Sequence, residues 1–79
     1  MIYVYVLHSL SDPDRYYTGI AEHLDIRLKQ HNAGEVSHTS KFLPWTLKNC
    51  FGFDDPKKAH AFERYLKSGS GRAFAKKHF

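Results

Sequence analysis

The stretch Ile2-Tyr3-Val4-Tyr5-Val6-Leu7-His8 decides the fold. It is aromatic and β-branched, so it reads as a strand, with Tyr3, Tyr5 and Leu7 on one face and Val4 and Val6 on the other. Both faces are apolar or aromatic, which suits a central strand covered on both sides. The turn residues Ser11-Asp12-Pro13-Asp14 follow, and Arg15–Ile20 reads as a second strand that closes a hairpin. Glu22–Asn32 predicts a helix. Glu22 and Asp25 suit its first turn, Gly34 can end it, and Leu24, Arg27, Leu28 and His31 fall on one helical stripe. Gly34–Pro44 is polar and reads as a mobile loop. Trp45–Phe53 reads as a third strand, with Trp45, Leu47, Phe51 and Phe53 expected on one face. Asp55-Pro56 is an N-cap and first-turn pair for a helix running to about Lys67, with Ala59, Phe62, Glu63 and Leu66 on one stripe. Ser68-Gly69-Ser70-Gly71 is expected to break the chain before a short basic helix within Arg72–Phe79. The order ββαβαα predicts an α/β protein of the α+β type: a small three-stranded antiparallel sheet flanked by helices, in a single domain over residues 1–79.

A chain of 79 residues supports one modest core. Its longest apolar run, Met1–Leu7, is far short of the roughly 20 residues a membrane helix needs, and no basic leader precedes it. The lone Cys50 excludes an internal disulfide, so a cytoplasmic location is the expectation. Charge is distributed unevenly. Residues 1–40 hold three basic and five acidic side chains, net −2, whereas residues 41–79 hold nine and three, net +6. A one-sided basic surface points to a polyanion, nucleic acid first. There is no Walker loop, the six histidines have no zinc spacing, and Cys50 has no adjacent histidine in sequence to activate it.

Three ionisable residues sit on core-facing stripes: Arg27 and His31 on the first helix and Glu63 on the second. Such residues must be paired or must face a site. Edge placement, with Glu63 pairing Lys67 at i+4, is one account. The other is chemistry, because one carboxylate among lysines and arginines suffices to hold a Mg²⁺ ion that also binds phosphate. The tyrosines admit the same two readings, core packing or a phenol beside a phosphate.

Val4-Tyr5-Val6, Tyr17-Thr18-Gly19, Arg27 with His31, and Glu63, in this order and spacing, resemble the GIY-YIG nuclease domain over essentially the whole chain. The small single-domain bacterial members, with their Arg-Leu-Lys-Gln-His-Asn, Pro-Trp and Glu-x-x-Leu-Lys segments, are the most similar. The resemblance implies a divalent-metal-dependent DNA endonuclease that hydrolyses phosphodiester bonds in repair or processing, directed by DNA structure or by a protein partner. It implies catalytic roles for Tyr5, Tyr17, Arg27, His31 and Glu63, with Glu63 as ligand of one Mg²⁺ or Mn²⁺ and Gly19 allowing close backbone approach. Tyr5 can act as general base if the metal and Arg27 depress its pKa, and His31 can take the proton onward or hydrogen-bond Tyr5; which group takes the first proton is left open. Two positions depart from the pattern: the first motif's glycine is Tyr3, and Ile20 stands where the repair nuclease has lysine. Lys41, Lys67, Arg72, Lys76 and Lys77 are the expected DNA contacts. The rival readings are a non-catalytic nucleic-acid-binding module on the same fold, an RNA-recognition motif, and a protein-interaction domain. The RNA-recognition motif lacks its Gly-aromatic second signature in Trp45–Phe53, and a fourth strand is hard to find.

Overall fold

The computed structural model describes residues 1–79. Strands β1 (Ile2–Ser9), β2 (Tyr16–Ala21) and β3 (Trp45–Phe53) form an antiparallel sheet in the order β2-β1-β3. The apolar strand β1 is therefore central, as its two-sided pattern predicts. Val4, Val6, Ala59 and Leu66 form one core cluster, with Ile2, Ile20, Phe53 and Phe62 packed around it. Tyr5, Leu7 and Trp45 form the other, with Tyr17, Leu24 and Leu28. Helix α1 (Leu24–Asn32) covers the Tyr5 face, and α2 (Pro56–Lys67) and α3 (Gly69–His78) cover the valine face.

The helix ends follow local chemistry. Asp55 caps α2, its carboxylate accepting from Lys57 N at 2.9 Å, with Pro56 in the first turn. Helix α1 starts two residues later than predicted and has no side-chain cap. It ends in a Schellman motif: Glu35 N donates to Gln30 O, Gly34 N donates to His31 O, and Gly34 takes a φ of 77°.

Three expectations need correction. The aromatic residues of β3 do not share a face. Val6 pairs with Asn49 and Leu7 with Leu47, so Lys48 is an extra residue in a β-bulge. Side-chain alternation restarts there. Trp45 and Leu47 lie on the Tyr5 side, whereas Phe51 and Phe53 lie with Val4 and Ile2 and pack against Phe62. The break expected over Ser68–Gly71 is confined to Ser68, and α3 begins at Gly69. Ser68 ends α2 and caps α3, its hydroxyl donating to Tyr65 O at 2.6 Å and accepting from Gly71 N at 3.2 Å. Gly71 is required because a Cβ there would collide with the Tyr65 carbonyl. The Gly34–Pro44 segment is anchored rather than loose. It contains a 3₁₀ turn at Ser40–Phe42, Trp45 Nε1 donates to Thr39 O at 2.9 Å, and Asn32 exchanges two hydrogen bonds with the Trp45 backbone.

Candidate active site

Tyr5 and His31 come from elements 26 residues apart, yet both are fully enclosed. Strand β1 points Tyr5 toward α1, and the α1 stripe returns His31 to it. The Tyr5 hydroxyl and His31 Nε2 are 2.8 Å apart, and His31 Nδ1 is 2.8 Å from Thr39 Oγ1. Thr39 Oγ1 also lies 3.3 Å from Val36 O. In the tautomer where Thr39 donates there, it accepts from His31 Nδ1–H. A neutral His31 then offers a lone pair at Nε2, and Tyr5 donates to it. Burial, and secondarily the positive charge of Arg27, lower the His31 pKa, so the neutral form is the resting one.

Gly19 lies opposite Tyr5 in the β1–β2 ladder. A Cβ at Gly19 would collide with the Tyr5 hydroxyl and crowd the Tyr17 ring, so only glycine lets the phenol cross β2. Tyr17 completes an aromatic cluster, its ring centroid 5.0 Å from His31 and 6.3 Å from Tyr5.

Charges from both helices reach the phenol. The Tyr5 pKa is raised above 10.0, chiefly by burial; Arg27 opposes the rise, while Tyr17 and Glu63 add to it. The expected depression by Arg27 therefore has the right sign but is outweighed by desolvation, and the resting phenol is protonated. Arg27 Nη1 donates to Gln30 Oε1 at 3.0 Å and has no carboxylate partner, so its charge is free for an anion. Glu63 is largely sheltered and bonds Lys67 Nζ through Oε2 at 2.9 Å. The i+4 pairing expected from sequence is present.

The sequence profile of the GIY-YIG catalytic domain matches residues 1–77. The chain belongs to the GIY-YIG family. Family membership and the three-stranded sheet agree, and nuclease-type function toward DNA follows for this GIY-YIG domain. No curated protein matches the chain at a significant level. No helix of the domain is long and apolar enough to cross a membrane.

The five residues carried over from the family motifs separate into a buried group (Tyr5 and His31, with Tyr17 half-covered) and two helix-borne charges, Arg27 and Glu63. The lysines do not act as one set. Lys67, Arg72 and Lys76 line a single groove, whereas Lys41 on the 3₁₀ turn and Lys77 on α3 lie outside it. Thr39 was not legible as a site residue. It sits in a polar segment with no periodicity, and only the folded path brings it to His31.

Proposed function

We propose that this GIY-YIG domain is a divalent-metal-dependent DNA endonuclease directed by DNA structure or by a partner protein, acting in repair or processing within the cytoplasm. The observation that carries the reading is the Tyr5–His31–Thr39 hydrogen-bond chain, with the opposite charges of Arg27 and Glu63 both acting on the phenol. A hydrogen-bonded core tyrosine needs no such chain, and a buried neutral histidine is well placed to receive a proton.

Phosphodiester hydrolysis requires a deprotonated water and a partner for the charge that develops on phosphorus oxygens. Arg27, free of carboxylates, binds the phosphate and meets that charge. The Tyr5 oxygen takes a proton from water while its own proton passes to His31 Nε2; the water oxygen bonds to phosphorus as the bond to the leaving sugar oxygen breaks, and that oxygen takes a proton from solvent. The resulting imidazolium is disfavoured first by burial and then by Arg27, and the negative charge of a bound phosphate offsets the second of these. Proton transfer is thus coupled to substrate binding. Tyr17 borders the site and orients the phosphate. Glu63 fits a Mg²⁺ or Mn²⁺ ion: Lys67 engages only its Oε2, and such ions take as few as one carboxylate, completing their shell with water and phosphate oxygens. The ion, when bound, supplies Lewis acidity at the phosphate.

The ion pair to Lys67 is also what a binding module without cleavage would contain, which keeps that second reading in play. Glu63→Gln tests both. Nicked, flapped and branched DNA should be cut by the wild type with Mg²⁺ and left intact by the variant. Mn²⁺ titration calorimetry should lose its heat in parallel. If the only change were about 0.3–0.5 kcal/mol of stability, the scale of an i,i+4 pair, Glu63 would be structural.

A further inference from the structure

A groove of about 960 Å³ lies on the α2/α3 side of the sheet, away from His31, between β2, the β3 bulge and α3. Its lining includes Arg15, Lys48, Lys67, Arg72 and Lys76 against one acid, Asp14. Lys67 and Arg15 are paired to Glu63 and Asp12, but Lys48, Arg72 and Lys76 have no carboxylate within ion-pair distance. Three unpaired cations on one concave wall are complementary to a polyanion.

An aromatic shelf stands at the same place. Tyr16, on the edge strand, is 51% exposed. His8 stacks beneath it with centroids 4.4 Å apart and planes 5° from parallel, and its Nε2 is tied to Pro13 O at 2.8 Å. Lys48 Nζ lies over the Tyr16 ring, 4.8 Å from its centroid. Alternation from Thr46, which pairs with His8, puts Lys48 on this side. Lys48 Nζ also donates to the Tyr16 hydroxyl at 3.4 Å, and the exposed part of the ring is left for a stacking base.

We infer that this groove is a subsite for an unpaired strand of DNA, with phosphates held by Lys48, Arg72 and Lys76 and one base stacked on Tyr16. Paired bases hide their π-faces within the duplex, so the shelf selects unpaired nucleotides whereas the cations alone would not. Tyr17 borders both this groove and the Tyr5 site, so the held strand leads to the point of cleavage. The inference rests on the nuclease reading and names its substrate class: DNA with a flap or single-stranded arm.

Fluorescence anisotropy in EDTA, where no cutting is needed, tests it with an oligothymidylate of about eight nucleotides and a blunt duplex of the same charge. The wild type should prefer the single strand. Tyr16→Ala, or Tyr16→Thr to keep strand propensity, should weaken single-strand binding about tenfold, the scale of one lost stack, and spare the duplex. Tyr16→Phe should bind as wild type, because the ring is what matters. A 2-aminopurine placed in the oligonucleotide should be quenched by the wild type and not by Tyr16→Ala. Equal losses on both DNAs, no loss, or Tyr16→Phe behaving as Tyr16→Ala would each overturn the subsite. So would displacement of the oligonucleotide by inorganic phosphate at equal phosphate concentration, or much tighter binding of oligouridylate. A protein that binds this way and never cuts overturns the nuclease reading alone. One that cuts without any effect of Tyr16 overturns the groove alone.

Discussion

Tyr5 packs its ring against the Leu7 and Trp45 cluster while its hydroxyl is bonded to His31, so ring and oxygen can be tested separately. Tyr5→Phe keeps the ring and strands Nε2 of a buried histidine, which should cost about 1–3 kcal/mol. It should also slow single-turnover cleavage by roughly 10²–10⁴, the range for a lost general base. Thr39→Val should act through His31, leaving Nδ1–H without an acceptor and releasing the tautomer. Cleavage should fall with DNA binding unchanged, and Thr39→Ser should restore it. His31 also sets an acid limit. The unfolded chain protonates it near 6.5, whereas the folded chain resists protonation. Acid therefore favours unfolding, so the contribution of neutral His31 is present above about pH 6.5 and is lost as pH falls through the lower folded value. Urea midpoints measured from pH 8 to pH 4 should show this loss, and His31→Gln should flatten it.

At the scale of elements, the bulge at Lys48 decides which face each half of β3 serves. Deleting Lys48 restores regular alternation and forces either Trp45 out of the Tyr5 cluster or Phe51 and Phe53 off Phe62. Circular dichroism should show an unfolded or molten chain, whereas Lys48→Ala, which keeps the bulge, should fold. The α2–α3 junction is equally specific. Gly71→Ala drives a methyl group into the Tyr65 carbonyl and should cost about 1–3 kcal/mol or more, measured by denaturant unfolding.

Across the whole molecule, the +6 half and the −2 half do not mix into a uniform surface. Unpaired Lys48, Arg72 and Lys76 lie on the α3 side, while the chemistry of Tyr5 lies across the sheet. DNA affinity should therefore fall steeply with added salt as phosphate contacts release counterions, and replacing Lys76 should reduce the slope by about one ion. Affinity unchanged between low and physiological salt would contradict this.

The order of elements, the central position of β1, the Asp55 cap and the Gly34 stop are local properties of propensity and period, and a linear reading reaches them. The candidate residues were also legible, because an arginine, a histidine and a glutamate on apolar stripes are conspicuous without a fold. The bulge was not: one extra residue changes no composition, and only pairing with β1 reveals that Lys48 has no partner. Thr39 was hidden for a similar reason, since it becomes a hydrogen-bond partner only when the Trp45 and Asn32 contacts fold the segment onto α1. The direction of the Tyr5 shift likewise waited for the tertiary structure. Sequence places Arg27 near the phenol, but the competing desolvation depends on how much chain closes over the ring, and that is decided by packing alone.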